Sequence, residues 1–534
     1  MDSINTVFCT NPNAGVYEYA CQRGHAYTDR VALWFYEKKM TFRQLFTYID
    51  YAADHLYQLG VRQGTVVTIH LPNCPQAVIA FYAAAKLGAI CSMVHALTPC
   101  DALRENINFT ESQFLITHRL DCLGIVENGI LVDISHYMGF GARLLYRLKN
   151  KTETKQSVAV FEAWERPCAQ QAVFPQENTL GPKCAVYLHS SGTTGTPKTI
   201  LLSHSALNNC VANTADFFED GDMANQVSLG VLPLFHGFGL AMDVHRNISH
   251  GSQLVLVPRW KASTAVKLIK KHKVTLMVGV PTMYYALLRE PNFKGKKISQ
   301  LSKCYVGGDT VSPELIDAFE ARLGGGHRMF AGFGLTEATT TNCVNSYLHY
   351  KAGSCGYPVR NTTVAVLSDT GTLSNQGEGE LLISSPTMMM GYLKNDEATN
   401  AAMYNANGKQ WIRTGDCAQI DEEGYIHFKR RIKNVIIRNG YNIYPDQVES
   451  VIRNVPQVTD VCVVGVLDEV LHTQRVRAVV ILETEADQTV AKAAIQKECL
   501  RMLPRYSVPG EVVFIPAFPK NVMGKIDRKE LSQP

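Results

Sequence analysis

Apolar residues follow two rhythms along this chain. Short runs rich in Val and Ile, such as "TVVTIHL" (Thr65–Leu71), "SQLVLVP" (Ser252–Pro258) and "TLMVGVP" (Thr275–Pro281), read as buried strands. Between the last two, "WKASTAVKLIKKHKV" puts apolar residues at helical spacing with a basic end, which predicts a strand–helix–strand unit and parallel sheet. The most apolar stretch, "QAVIAFYAAAKLGAICSMV" (Gln76–Val94), contains Lys86 and many small residues. It predicts a buried helix entering a strand rather than a membrane span. After about Lys351 shorter alternating runs with turn signals take over, "TTVAVLSDTG", "GEGELLISS" and "GYIHFKRR", and predict a smaller antiparallel sheet. The final part, from "PDQVESVIRNVPQVTDVCVVGVLDE" through "VRAVVILE" to "TVAKAAIQKECLRMLP", reads as a small α+β module with its own core.

Length and composition narrow the class. At 534 residues the chain exceeds one ordinary core, so two or more domains are expected. A formal net charge of +4 is small for this size and argues against a nucleic-acid footprint, which needs a concentrated basic face. Fifteen cysteines are scattered without a C-x-x-C pair, which argues against a disulfide framework or zinc site and for a reducing, cytoplasmic setting. The N-terminus lacks the basic and apolar regions of a signal peptide. One basic, partly amphipathic segment, "YMGFGARLLYRLKNKTETK" (Tyr137–Lys155), is the candidate for peripheral membrane contact; a solvated helix is the favoured reading.

The stretch "HSSGTTGTPKT" (His189–Thr199) follows the strand-like "AVYLH" and imitates a Walker A loop, except that Pro197 replaces the second glycine. A Walker lysine leads straight into a helix, whereas here "TILLS" intervenes before a helix that opens at Ser203. Backbone N–H groups, hydroxyls and the Lys198 ammonium still suit phosphate oxygens.

With its companions the loop resembles the phosphate-binding signature of the adenylate-forming superfamily: acyl- and aryl-CoA synthetases, peptide-synthetase adenylation domains and luciferase. The motifs run in order from about Asp29 to Leu531. They imply an α/β fold with a large N-terminal domain, residues 1–430, of parallel-rich subdomains plus a small antiparallel barrel-like sheet. A small mobile α+β domain, residues 431–534, follows.

By the same resemblance Ser191, Gly192, Thr193, Thr194, Gly195, Thr196 and Lys198 contact ATP phosphates. In "AGFGLTEA", Gly332 and Phe333 lie at the adenine, Thr336 touches phosphate and Glu337 holds Mg²⁺, a role that suits a carboxylate ligand of a hard cation. "YVGGDTVSPEL" supplies Gly308 and Asp309 at the adenine edge, and "WIRTGD" supplies Asp416 for the ribose hydroxyls. Arg431 reaches ribose or phosphate, Lys433 falls at a hinge, and Gly440 lets its loop approach the substrate channel. Lys525 in "PKNVMGKIDRKEL" is the implied catalytic lysine, bridging the attacking carboxylate and α-phosphate. Three positions depart from the family text: Phe333 for tyrosine, Thr199 for glycine, and Met523 for Ser or Thr.

The implied activity is an ATP-dependent acid–thiol ligation through an acyl-adenylate. "PLFHGFGL" carries His236 where amino-acid adenylation domains place an aspartate, which disfavours an amino acid. Phe235, Phe238 and Val280 suggest an apolar acyl pocket, so a medium- or long-chain fatty acid is expected, ahead of a hydroxycinnamate-like acid. Coenzyme A is favoured over an acyl-carrier protein as acceptor. Joint retention of Thr194, Lys198, Glu337, Asp416, Arg431 and Lys525 argues against a non-catalytic relative.

Overall fold

The computed structural model describes residues 11–139, 141, 143, 159–160, 164–168, 180–190, 198–214, 223–309, 311–368, 370–431, 435–484, 486–519 and 526–533. Two large sheets organise the bulk of them. One has eight strands and contains Val66–His70 and Ile90–Met93, paired in parallel. The other has nine and contains Gln253–Leu256 and Leu276–Gly279. The expected strand–helix–strand unit is present, with the helix Ala262–His272 between them. Its two strands are not neighbours, however, because Val227–Gly230 inserts between them and pairs in parallel with both.

The Ala-rich stretch becomes the helix Pro75–Lys86 followed by the strand Ile90–Met93. Every residue from Pro75 to Ala85 is buried, including Phe81 and Tyr82. A helix apolar all round belongs in a core, and small side chains let its neighbours come close. It packs against the helix Phe42–Gln58, whose start is fixed by a capping box in which the Thr41 and Gln44 side chains satisfy each other's backbone N–H groups. Among the described residues no helix is long and apolar enough to cross a membrane.

Beyond these sheets, Thr363–Leu367, Gly377–Ser384, Lys409–Ile420 and Ile426–Arg431 build a six-stranded sheet whose pairings are antiparallel. A separate core then gathers Ile436, Val448, Val463, Val480 and Ile495. It lies between the helices Pro445–Arg453 and Gln488–Met502 and a sheet of Val458–Asp468, Thr473–Leu482 and Glu511–Phe514. This is the small α+β module.

One expectation needs correction. Cys100 and Cys122 are joined as a disulfide, their Cα atoms brought to 5.4 Å where the helix Cys100–Thr110 starts beside the turn Leu120–Ile125. Sequence spacing does not reveal such proximity. The other twelve described cysteines are free thiols, so no framework exists among them. Most of the basic segment 137–155 lies outside the described residues.

Phe81→Ala removes a fully buried ring from the core that the two large sheets share. It is expected to cost about 3–5 kcal/mol of unfolding free energy, read from the shift of a denaturant midpoint.

Candidate active site

The strand Cys184–Ser190 and the strand Lys198–Ser203 form an antiparallel hairpin, not a strand-to-helix turn. Only after it does the helix His204–Asn213 begin, with the Ser203 hydroxyl accepting from the Ala206 N–H. The predicted glycine loop, residues 191–197, connects the two strands and lies outside the described residues. Lys198, at its exit, faces a cavity of about 630 Å³.

That cavity collects residues from distant parts of the chain. Gly308, Gly332, Phe333, Thr336 and Glu337 line it from the C-terminal ends of parallel strands and the turn that follows. Phe235, His236 and Phe238 line it from the segment after Val227–Gly230. Gly440 reaches it from the small module. Val280 does not face the opening. It lies beneath, where a Cβ on Gly440 would meet its Cγ1 at 2.3 Å. Gly440 also has φ of +82°, so the position excludes a side chain on two grounds. Asp309 and Asp416 are likewise off the wall; Asp416 is 1% exposed, and its neighbours Thr414 and Gly415 line the cavity instead. Its strand partner in register is Arg431, whose side chain, like Ser191–Thr196, Lys433 and Lys525, is outside the described residues.

Glu337 is held in place. Its Oε1 accepts a hydrogen bond of 2.9 Å from the Tyr392 hydroxyl, and its backbone carbonyl accepts from the Met389 N–H at 2.7 Å. The Lys198 ammonium sits 4.7 Å from the centroid of the Tyr392 ring. Burial and the Glu337 carboxylate push the Tyr392 hydroxyl well above its ordinary range, so it stays a donor at neutral pH. Immediately after Glu337, Thr339 and Thr340 both adopt left-handed backbone, at φ of +49° and +71°. Such geometry costs of order 1 kcal/mol per residue. The Thr339 hydroxyl, donating to the Thr387 carbonyl at 2.7 Å, helps to hold it.

His236 carries a definite tautomer. Its Nδ1 accepts from the Phe238 N–H at 3.2 Å, so in the neutral ring the proton resides on Nε2. Burial lowers its pKa to about 4, which keeps the ring neutral under ordinary conditions. The ring is therefore a hydrogen-bond donor rather than a cation.

Thr199 finds its explanation here. Its hydroxyl lies 3.0 Å from His189 Nδ1, which also faces the Asn106 amide at 3.2 Å, while His189 Nε2 contacts the Ser92 hydroxyl at 2.9 Å. A glycine would leave this buried cluster one hydroxyl short. The Thr199 carbonyl accepts from the Leu393 N–H, tying the hairpin to the Tyr392 segment.

The cavity therefore gathers an anchored carboxylate, Glu337, with Lys198 at the exit of the 191–197 segment. The family described as AMP-binding enzyme matches residues 21–393, and the AMP-binding enzyme C-terminal domain matches residues 447–525. The chain belongs to the AMP-binding enzyme family. Within it, the chain falls among the acid–CoA ligases of the AMP-forming type. The long-chain-fatty-acid–CoA ligase of Bacillus subtilis (strain 168) is 31% identical over 97% of this chain and 94% of that one. The 4-coumarate–CoA ligase 2 of Oryza sativa subsp. japonica is 30% identical over 90% of this chain and 85% of that one. An o-succinylbenzoate CoA synthetase from Bacillus subtilis shares the fold, with a TM-score of 0.79 at 23% identity over 98% of both chains.

In this AMP-binding enzyme, sequence reasoning overlooked Tyr392 and His189. Tyr392 belongs to a two-residue strand that reaches Glu337 only because it pairs with Lys198–Ser203. No local pattern announces that pairing. His189 lies at the head of the stretch His189–Thr199, half-buried on its strand, and lines the cavity together with Thr199.

Six histidines, His70, His95, His189, His204, His236 and His245, are lowered from 6.5 to between about 3 and about 4, each chiefly by burial. Below 6.5 the unfolded chain binds protons at these rings that the folded chain refuses, so stability falls as pH drops from 6.5 towards 4. Burial raises Asp243 to about 8, which opposes the trend in the same window with a single proton. Calorimetry is expected to show Tm falling steadily across that interval; a flat Tm there contradicts the burial of these rings.

Proposed function

We propose that this enzyme is an ATP-dependent ligase for hydrophobic carboxylic acids, with a medium- or long-chain fatty acid as the preferred substrate. The observation that carries the reading is the convergence of Lys198, Thr336 and Glu337 on one cavity that also has an apolar side built from Phe235, Phe238, Met242 and Val278. Its relatives at 30–31% identity act, by name, on long-chain fatty acids and on 4-coumarate, so a bulky aryl acid is the second reading.

Two steps share the site. The acid carboxylate forms a bond to the α-phosphorus of ATP, the bond to the β-phosphate breaks, and pyrophosphate leaves. The sulfur of coenzyme A then bonds to the acyl carbon, the acyl–oxygen bond breaks, and AMP leaves as the thiol gives up its proton. Residues 191–196 and Lys198 cradle the phosphates. Thr336 contacts phosphate, and His236 donates from Nε2 to oxygen at the reacting end. Gly308, Gly332 and Phe333 flank adenine, with Asp309 at its edge, while Asp416 and Arg431 secure the ribose. Lys525 spreads positive charge over the attacking carboxylate and the α-phosphate as negative charge builds up there.

The residues present fit Mg²⁺. Glu337 offers a hard oxygen ligand, and Tyr392 fixes its orientation through Oε1. A cation sharing one carboxylate with phosphate oxygens and water is the usual mode for Mg²⁺, which when bound neutralises phosphate charge. Among the described residues the one cluster of three possible metal ligands is Cys100, Asp121 and Cys122, whose two sulfurs are already bonded to each other.

We place the division between the large domain and the small one at residues 430 and 431, with Lys433 as the pivot. The two modules then serve the steps in turn, Lys525 the first and the Gly440 turn the second.

A panel of acids assayed for pyrophosphate release, and then for AMP with coenzyme A present, is expected to give turnover with aliphatic acids of medium or long chain. Aryl acids outpacing them would shift the assignment to the second reading, and no acid-dependent pyrophosphate at all would count against a ligase. Lys525→Ala should slow adenylation by at least 100-fold, of the order found when a preorganised charge-stabilising group is lost, while transfer from supplied acyl-adenylate changes far less. Gly440→Leu is expected to show the reverse pattern in the same two assays.

A further inference from the structure

The small module touches the large one through a hairpin whose tip is Asn439–Gly440. It joins the strands Ile436–Arg438 and Tyr441–Ile443, and both tip residues have positive φ, +53° and +82°. This is the two-residue turn whose twist suits a tight hairpin, and Asn-Gly is its preferred sequence. The hairpin is braced on its own module. The Asn439 N–H donates to the Thr473 hydroxyl, the Ile437 N–H to the Gln474 side chain, and Arg438 to the Tyr506 carbonyl at 3.0 Å. Its tip rests on the large domain, with the Gly440 carbonyl 4.0 Å from the ideal Cβ position of Gly308.

Beside the tip, four rings from four separate segments meet. Tyr441 and Tyr506, both from the small module, stack with centroids 4.3 Å apart and planes at 12°. Phe235 of the large domain is nearly parallel to Tyr441, at 6.5 Å and 7°. His95, also of the large domain, packs against Phe235 at 4.3 Å and against Tyr506 at 5.7 Å. Centroid separations and angles of this kind are those of attractive aromatic pairs. At pH 7 His95 joins the group as a neutral ring, because burial lowers its pKa to about 4. A second junction repeats the device farther along, where His472 stacks on Tyr285 at 4.1 Å and 16°, next to a hydrogen bond from Arg289 to the Val470 carbonyl.

We propose that Tyr441 and Tyr506 are positioning residues for thioester formation, stacked on His95 and Phe235 so that the Asn439–Gly440 turn is held against Val280 and Gly308. The inference rests on the reading of Gly440 as the element of the second step. It adds the reason why the turn stays in place. Gly440, the tip residue that meets Val280 and Gly308, offers no side chain to grip them, so the grip comes from rings flanking it. The Tyr441–Tyr506 pair survives any movement of the small module as a unit, whereas the contacts with His95 and Phe235 exist only in this orientation. The four-ring stack therefore acts as a latch that stabilises one arrangement of the two domains.

The test uses the full-length enzyme and two half-reactions: acid-dependent exchange of pyrophosphate into ATP, and single-turnover transfer from isolated acyl-adenylate to coenzyme A. Tyr506→Ala is expected to lower the ratio of transfer to exchange about tenfold, equivalent to about 1.4 kcal/mol. Tyr506→Phe, which keeps the ring, is expected to restore it. His95→Ala removes a ring from the large domain without disturbing the small module's core, and is expected to lower the ratio about threefold. Faster amide hydrogen exchange at Gly440 and Tyr441 should accompany both losses. Equal loss in the two half-reactions, an unchanged ratio in both alanine variants, or failure of Tyr506→Phe to restore it overturns the latch. Absence of exchange in the unaltered enzyme with every acid tested instead overturns the ligase reading.

Discussion

The two large sheets share one core, and close packing within it fixes the strand ends that form the site. Within it Pro75–Lys86 is buried on every face to Ala85; contact positions most of its neighbours, and the Tyr82 hydroxyl adds a hydrogen bond of 3.0 Å with His245 Nδ1. Protein interiors of this density yield little, and strand ends that emerge from such a core hold their loops in fixed relation. The turn carrying Thr336 and Glu337 follows the strand Met329–Phe333, and the loop carrying Gly308 follows Lys303–Val306. Neighbouring parallel strands thus deliver both groups to the same rim. Ligand sites outside the carboxyl ends of parallel strands are a recurrent result of that arrangement.

Charge at the rim is arranged economically. One tyrosine serves two ions: its hydroxyl holds Glu337 and its ring face receives Lys198. The carboxylate and the ammonium thus share one aromatic anchor at the rim of the cavity. His236 adds a donor without adding charge. A cavity that presents donors and the cations Lys198, Lys394 and Arg413 suits a developing negative charge, and preorganised groups of that sort need little rearrangement as the reaction proceeds.

Much of this was legible in the residues. The Ser203 cap and the apolar helix within Gln76–Val94 each have a local physical signature, and each element lies where that signature points. What could not be read depends on the order in which strands assemble. Val227–Gly230 enters between two strands that follow it in sequence, and the pairing of Gly391–Tyr392 with Lys198–Ser203 brings Tyr392 to Glu337 across 55 positions. Thr199 departs from the family text for a reason that only the fold supplies, the polar cluster of His189, Asn106 and Ser92. The Cys100–Cys122 bond was hidden for the same reason, since nothing in the spacing places a helix start beside a distant turn. Asp416 carried a recognisable motif, yet its depth behind the wall follows from its strand in the antiparallel sheet.

A cavity completed by two domains obeys a thermodynamic reciprocity. Gly440 and its flanking rings form part of a wall whose remainder belongs to the large domain. Any molecule that touches both sides must bind more tightly when they are together, and must draw them together by the same factor. The free energy with which the domains associate is then part of every apparent affinity measured for the enzyme. A substitution at their junction, remote from any reacting atom, alters what the enzyme appears to prefer.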